Sequence, residues 1–308
     1  MSFIYSDDNK RYHTLYYHNK HTYCRRAVKA VIDAGFTCPN IDGTKGHGGC
    51  YFCSGGSGYF TAAPEVPIAE QLKREKERIY RKYPDALIIA YFQAHTNTYA
   101  DVKTLEARYR EAVAAGIDGI SIASRTDCID EEKAALIQSL GIPATVELGL
   151  QSIHDSTKQA MNCLHDTASF IDAMEILRKY GIRTCVHIIN GLPGETQEMM
   201  LETAKAVGEQ RPDAVKIQLL HVVEGTVLAD MYARGEYVPM TKEAYIDTVV
   251  RQLGYIPPET VIERITGDGD RRTLIAPKWS ADKLSVLGGI DKRMAELDTQ
   301  QGKHFNAQ

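Results

Sequence analysis

Residues 119–151 read Gly119-Ile-Ser-Ile-Ala-Ser-Arg-Thr-Asp-Cys-Ile-Asp-Glu-Glu-Lys-Ala-Ala-Leu-Ile-Gln-Ser-Leu-Gly-Ile-Pro-Ala-Thr-Val-Glu-Leu-Gly-Leu-Gln151 and contain a whole strand–helix–strand unit. Gly119 to Ser124 is short and apolar without strict alternation, as in a strand buried on both faces of a parallel sheet. Asp130 stands where a helix N-cap is expected, and Gly141 where a helix ends in a left-handed residue. Thr145 to Gln151 then repeats the first pattern.

The same unit recurs in both directions. Ala27 to Phe36, Ala86 to Gln93, Arg183 to Asn190 and Ala214 to Val222 read as further strands of this type. Between them, Ile68, Leu72, Ile79 and Tyr83 keep helical spacing in a charged background. Asp101, Val102, Leu105, Tyr109 and Val113 do the same, and Gly181 again marks a helix end. Six such repeats without a break in composition predict an α/β fold, a partial (β/α)6 TIM-like barrel. A doubly wound sheet fits the same periodicity. After Gly235 the alternation stops. The expected organisation is an N-terminal basic and aromatic arm (1–26), the barrel (27–235) and a C-terminal α+β extension (236–308).

Composition agrees with a folded, water-soluble chain. Of 308 residues, 25% are charged and 44% hydrophobic, and the formal charge is −4. That balance excludes a uniformly basic protein but leaves room for a local basic patch. No apolar run is long enough to span a bilayer, and the first twenty residues carry no apolar signal core, so the expectation is a cytoplasmic protein with no membrane partner. Seven cysteines, an odd number, in a chain without an export signal argue for reduced thiols rather than a disulfide framework.

Three of those thiols fall in one loop. Cys38-Pro-Asn-Ile-Asp-Gly-Thr-Lys-Gly-His-Gly-Gly-Cys50-Tyr-Phe-Cys53 follows the first strand, at the barrel face where active sites form. Gly43, Gly46, Gly48, Gly49 and Pro39 let the backbone fold around a small object, and three converging thiolates suit a soft metal centre. Zinc would need a fourth ligand, for which His47 is available. An iron–sulfur cluster held by three cysteines keeps one iron open. Spacing alone leaves both readings standing.

The loop resembles the cluster loop of the radical S-adenosylmethionine (radical SAM) superfamily. Its longer form, CPNxDGTxGxGGCxFC, is similar to a bacterial branch related to the Elongator catalytic subunit. The similarity extends over most of residues 10 to 295. Gly149-Leu-Gln-Ser152 resembles the family's GxQS segment, Gly191-Leu-Pro-Gly-Glu195 its GLPGET turn, and Arg125-Thr-Asp127 an RPD element with Thr126 in place of proline. One position departs: Met161-Asn162-Cys163 falls where relatives often carry Asn-Arg, the arginine pairing with the methionine carboxylate.

The resemblance implies that Cys38, Cys50 and Cys53 hold a 4Fe-4S cluster. It also implies that S-adenosylmethionine binds the open iron and that one-electron reduction releases a 5′-deoxyadenosyl radical. An electron donor such as flavodoxin or ferredoxin is then required. Candidate cofactor-binding residues are Phe52, Gln93, Glu147, Gln151, Ser152, His187 and Gly191, with His95 and Asn97 on the substrate side. Glu147 lies in an apolar strand, so in a barrel interior it must be paired or face a ligand.

The substrate expectation rests on two basic-aromatic groups. Lys10, Arg11, Lys20, Arg25, Arg26 and Lys29 interleave with Tyr12, Tyr16, Tyr17 and Tyr23; Arg264, Arg271, Arg272 and Lys278 lie near Trp279. Basic side chains steer phosphates and aromatic faces stack bases. The resemblance adds that Elongator-type relatives act on the wobble uridine of transfer RNA. A tRNA wobble uridine substituted at C5 is therefore the leading expectation. A small molecule or a peptide is the alternative within the same chemistry, and a zinc-stapled RNA-binding module the alternative outside it.

Overall fold

The computed structural model describes residues 3–54, 62–267 and 269–305. Six strands run in chain order through one parallel sheet: β1 (Ala27–Ile32), β2 (Leu87–Phe92), β3 (Gly119–Arg125), β4 (Ala144–Gln151), β5 (Arg183–Asn190) and β6 (Ala214–Leu219). A short β7 (Val222–Val223) leaves the sheet, and β8 (Val261–Arg264) adds to β6 as a seventh parallel strand. β7 pairs antiparallel with β9 (Leu274–Ala276).

The helices alternate with the strands as the right-handed crossover of parallel strands requires. α1 (Leu15–Tyr23) precedes β1, α2 (Ile68–Tyr80), α3 (Val102–Ala114) and α4 (Glu131–Ser139) follow β1, β2 and β3, and α5 (Asp155–Ala160) and α6 (Thr167–Lys179) follow β4. α7 (Gln197–Glu209) follows β5, α8 (Val227–Ala233) follows β7, α9 (Lys242–Leu253) leads to β8, and α10 (Lys283–Glu296) follows β9. Asp101 and Asp130 cap α3 and α4 by accepting from Thr104 N and Lys133 N. Gly141 (φ +69°) and Gly181 (φ +63°) take the left-handed conformation that ends a helix.

The result is a curled, open α/β half-barrel of the TIM type. β1 and β8 share no backbone pairing, yet Lys29 on β1 donates to Glu263 on β8 at 2.8 Å across the interior. Ile68, Leu72 and Ile79 of α2 are buried, as are Leu105 and Tyr109 of α3, so both helices turn the expected stripe to the sheet. A second, smaller core of Met161, Cys163, Leu192, Leu220, Val222, Leu228, Tyr237 and Ala276 packs against Cys50, Tyr51 and Phe52.

Three expectations change in detail. The sheet has seven strands rather than six, the seventh coming from beyond residue 235. Strand β1 ends at Ile32 instead of Phe36, because Asp33 N is captured by Gln71 Oε1 (2.9 Å) and Asp33 Oδ1 by Gly35 N (2.9 Å). Strand β6 ends at Leu219, and Val222 pairs with Ala276 instead.

Candidate active site

The three-cysteine loop leaves β1 and folds by local bonds. Ile41 N and Asp42 N bond Cys38 O (2.8 and 3.1 Å), Gly49 N bonds Asn40 O (2.8 Å), and Cys53 N bonds Cys50 O (2.8 Å). Gly46 has no room for a side chain, since a Cβ there would meet Asn40 Oδ1 and Leu164 Cδ1 at 2.5 Å. The segment between α5 and α6 fastens the loop from outside. Tyr51 N donates to Met161 O (3.0 Å), and Asn162 Nδ2 to Gly49 O (2.8 Å) and His47 O (3.2 Å).

Cys38, Cys50 and Cys53 all line one cavity of about 380 Å³ at the C-terminal ends of the strands. Their sulfurs do not all come within 4.8 Å of one another, which is too open for a single tetrahedral ion. His47 is exposed, and its ring packs on Gly43 away from the cavity lining. A Cys3His zinc site therefore finds no fourth ligand there. The donor set, three thiols at the mouth of one cavity, fits the iron–sulfur group.

The floor is ionic. Glu147 on β4 is fully buried and accepts from Lys29 Nζ (2.5 Å), Ser121 Oγ (2.6 Å), Tyr91 Oη (2.9 Å) and Lys216 Nζ, with His187 Nε2 at 2.8 Å. Burial alone would push this carboxyl up, but the Lys216 and Lys29 ammoniums override it and hold Glu147 well below the usual carboxylate range. Glu263, bonded by Lys29 and by Arg183 (3.0 Å), is held down to about 2 in the same way, against its own burial. Burial and the Lys216 charge push His187 down to about 4, so its imidazole is neutral near pH 7. Glu147, Cys185 and His187 also group closely enough for an ion. With two ammoniums already on the carboxylate, they form an ion-paired core instead.

The wall carries a second charged pair. Arg125, at the end of β3, lines the cavity and forks onto Asp127 through Nε (2.9 Å) and Nη2 (2.8 Å), with Nη2 also reaching Leu164 O (2.8 Å). Against burial, Arg125 and Lys45 hold Asp127 down to about 2. Thr126 supplies a hydroxyl to His165 Nδ1 (3.1 Å) and Ser169 Oγ (2.8 Å), bonds that a proline at this position could not make. Burial, with Arg125 beside it, pushes His165 down to about 4.

Gln151 reaches the cavity through a β-bulge. The β4–β5 register shifts between Gly149 and Gln151, and Gln151 adopts φ +64°. With its amide assigned so that nitrogen faces the acceptors around it, Gln151 donates to Gly149 O (2.7 Å) and His165 Nε2 (3.3 Å). Bulges of this kind re-aim side chains beside active sites.

Of the residues singled out from sequence, Phe52, Gln93, His95, Glu147, Gln151 and His187 line the cavity together with the cysteines. Ser152 and Gly191 do not. Ser152 is fully buried and donates to the Glu195 carboxylate, while Gly191 (φ +85°) gives its carbonyl to Tyr237 Oη (2.8 Å). Asn97 is buried under Ala94 O (3.0 Å) and Ala123 O (3.1 Å). Cys163 is buried against Cys50 and is no cation, so it cannot take the part of the arginine found in relatives. Lys216, Arg183, Glu263, Arg125 as a cavity cation, and His165 escape a reading of the sequence as site residues. Lysine inside Ala-Val-Lys-Ile-Gln-Leu and glutamate inside Val-Ile-Glu-Arg are the signals that point to two of them.

The basic arm is spent largely within the chain. Lys10 pairs with Asp291, Arg11 with Asp298 (2.9 Å) and Lys20 with Asp7. Arg26 lies over the Tyr83 ring (4.7 Å), Tyr12 is buried, and Lys29 points to the barrel floor. Trp279 lies tilted against Tyr245 (centroids 5.7 Å apart) and donates to Met240 O (3.1 Å), so it too belongs to packing. The second basic group is also partly engaged, Arg272 with Asp270 (2.7 Å), Arg271 with Ala281 O (2.9 Å) and Lys278 with Leu274 O, but Arg271, Arg272, Lys278 and Lys283 are exposed along a groove that shares Gly269 and Asp270 with the cavity. Among the described residues no helix is long and apolar enough to cross a membrane.

Comparison with known proteins agrees with this arrangement. Residues 40–207 match the radical SAM superfamily model, and residues 212–296 match the Radical_SAM C-terminal domain. Bacillus subtilis YtqA is 42% identical over 98% of this chain and 95% of its own length. A tRNA uridine(34) acetyltransferase of Methanocaldococcus jannaschii is 31% identical over 48% of this chain, which spans 28% of that protein. The structure of Elp3 from Methanocaldococcus infernus superposes with a TM-score of 0.66 at 20% identity, over 90% of this chain and 65% of Elp3. The half-barrel, the cysteine-lined cavity at its mouth and these matches agree: the chain belongs to the radical SAM superfamily.

Proposed function

We propose that this chain modifies a C5-substituted wobble uridine of tRNA by radical SAM chemistry. The observation that carries the reading is the exposed groove where Arg271, Arg272, Lys278 and Lys283 outnumber Asp270 and Asp282, and which meets the cavity mouth at Gly269 and Asp270. A phosphate backbone lying along it would bring a splayed base to the cysteine loop. The likeness to a tRNA uridine(34) acetyltransferase over 48% of the chain supports the same choice.

In this reading Cys38, Cys50 and Cys53 hold the cluster, and Phe52 packs beside it. When bound, the cluster and S-adenosylmethionine supply a carbon radical able to abstract a hydrogen atom. The chain's own residues bind, orient and exclude water. Arg125, fixed by Asp127 and Leu164 O, offers its Nη1 edge to the methionine carboxylate that Cys163 cannot meet. His95 Nδ1 is buried and has no hydrogen-bond partner among the described residues, so it is open to a ligand group. Gln151 and Gln93 present amides from the strand ends. The Glu147 network closes the floor with paired charges. Ser152 and Gly191 act behind these groups by holding the β4 and β5 turns. A flavodoxin or ferredoxin would supply the electron in the cytoplasm.

The test is anaerobic reconstitution with iron and sulfide, reduction by dithionite, and assay of 5′-deoxyadenosine with tRNA from a strain lacking the wobble modification. Mass change at the wobble nucleoside, absent with Cys50→Ala, is the expected result. Turnover of S-adenosylmethionine with no change in any tRNA nucleoside would reject the tRNA substrate while keeping the chemistry.

A further inference from the structure

Gln218 lines the cavity from β6, two residues beyond Lys216. Side chains two apart on a strand share a face, so Gln218 stands one layer nearer the mouth than the ionic floor. Among the described residues its side chain makes one hydrogen bond, between Nε2 and His187 Nδ1 (3.4 Å). The polarity of that bond is set from below. His187 Nε2 lies 2.8 Å from the Glu147 carboxylate, which also takes the Lys29 and Lys216 ammoniums and is therefore ionised. A carboxylate only accepts, so Nε2 carries the ring proton. Beside two ammoniums the imidazole holds no second proton, and Nδ1 is left as an acceptor. The Gln218 amide then turns its nitrogen to His187 and its Oε1 away from it, without a protein partner among the described residues. Ile189, opposite Gln218 on β5, lines the same wall and brings no competing side-chain donor.

We propose that Gln218 is a specificity-determining residue whose Oε1, aimed by the Glu147–His187 relay, accepts the N3–H of the substrate uracil. This rests on the wobble-uridine reading above and names the side chain that reads the base. Uracil carries one ring N–H on its Watson–Crick edge, at N3. C5 lies on another edge, so N3–H held against β6 leaves the C5 substituent to meet the radical. His187 is a positioning residue, since it touches Gln218 and not the base. An amide already oriented by the protein needs no ordering when the base arrives. Once the base has displaced water, an acceptor facing no N–H is left unsatisfied, and a base lacking that hydrogen is rejected.

The experiment measures binding of three synthetic anticodon stem-loops to the reconstituted protein with S-adenosylmethionine. They carry 5-methyluridine, 3,5-dimethyluridine or adenosine at the wobble position and are otherwise identical. Wild type should bind the N3-methylated RNA more weakly than the 5-methyluridine RNA on the order of tenfold. Gln218→Ala, which removes the acceptor and leaves room for the methyl group, should bring that ratio close to one. Gln218→Leu, which keeps the volume, should weaken the 5-methyluridine RNA on the order of tenfold. His187→Phe keeps a ring but offers Gln218 no acceptor, and should shrink the ratio part of the way. A merely structural role for His187 would weaken both RNAs alike and leave the ratio unchanged. An alanine variant with the wild-type ratio, or a leucine variant with wild-type affinity, overturns the proposal. Loss of iron in both variants overturns it too, because Gln218 would then be structural. Wild type that prefers 5-methyluridine to adenosine yet ignores the N3 methyl group overturns this assignment alone. Wild type that binds all three alike, or none, rejects the uridine reading and the assignment with it.

Discussion

Lys29 on the first strand of the sheet and Glu263 on the last stand 2.8 Å apart, although the two strands exchange no backbone hydrogen bond. A side-chain ion pair therefore spans the gap that a closed barrel would fill with an eighth strand. The same ammonium bonds Glu147 on β4, in the middle of the sheet, so three strands meet at one nitrogen. The curl that forms the cavity and the charge pairing at its floor are one structural fact. Lys216, the second ammonium on Glu147, completes the seal.

Removing the central carboxylate tests that coupling. Glu147→Gln leaves two buried ammoniums facing a neutral amide, and breaking a buried pair of this kind costs about 3–5 kcal/mol. Urea unfolding of the apoprotein should show a loss in that range. Glu147→Gln combined with Lys216→Met should lose less than the two single variants added together, since the orphaned charge is gone. Additive losses would mean that the two groups do not depend on each other.

The same interior sets how the protein responds to acid. His187 and His165 are both held near pKa 4, below the ordinary value of about 6.5 for an exposed histidine. The unfolded chain therefore binds more protons than the folded one between those limits. Their contribution is fully present above about pH 6.5 and is lost as pH falls towards 4, each histidine adding a slope of about 1.4 kcal/mol per pH unit at most. Below pH 4 the depressed carboxyls of Asp127 and Glu263 add to the loss. Denaturation midpoints of wild type and His187→Asn between pH 7 and 4 check this: the variant should have the shallower slope. Parallel curves would remove His187 from the account.

Much of this was legible in the chain. The βα rhythm specified the parallel sheet because strands covered on both faces must be continuously apolar, and β5 begins and ends where that pattern does. The three-cysteine loop and Gln151 were readable because few other roles put thiols in a glycine-rich turn or an amide at a strand end. β8 was hidden by its own function. Val-Ile-Glu-Arg carries Glu263 to the ionic floor, and a charge in a four-residue strand cancels the apolar signal that would announce it. Lys216 and Lys29 were hidden likewise, since a lone lysine in a strand reads as exposed until its carboxylate, on another strand, is found. The N-terminal arm misled for the converse reason. Its cations look free in sequence because Asp291 and Asp298, which neutralise Lys10 and Arg11, lie at the other end of the chain.

Arg125 gives a prediction on cofactor affinity. Its Nε and Nη2 are engaged by Asp127 and Leu164 O, which leaves Nη1 as the edge open to a carboxylate. Arg125→Lys keeps a charge but loses the fork, and lysine does not substitute for a bidentate arginine. Equilibrium dialysis of the reconstituted protein should show S-adenosylmethionine binding weakened by about tenfold or more, as expected for loss of one charge-assisted hydrogen bond, with iron content unchanged. Unchanged affinity would place the carboxylate on another cation of the cavity.

The groove beside the mouth makes the last prediction, on the nucleic-acid partner. Lysine and arginine that neutralise phosphates release counterions, so binding weakens with salt along a slope proportional to the number of phosphates neutralised. Arg271 and Lys283 are exposed on the groove that meets the cavity at Gly269 and Asp270, and Lys10 and Arg11, at the opposite end of the sequence, form ion pairs with Asp291 and Asp298. Arg271→Glu with Lys283→Glu should therefore flatten the salt dependence of tRNA binding by about 0.7–0.9 in logarithmic slope for each phosphate no longer neutralised. The paired Lys10→Gln variant should change it little. Both residues lie outside the cysteine loop, so cluster content and uncoupled formation of 5′-deoxyadenosine should match the wild type. A double variant that binds tRNA with the wild-type slope would take the substrate path away from this groove. A wild-type protein with no salt-dependent tRNA binding would instead favour a small, uncharged substrate for the same cavity.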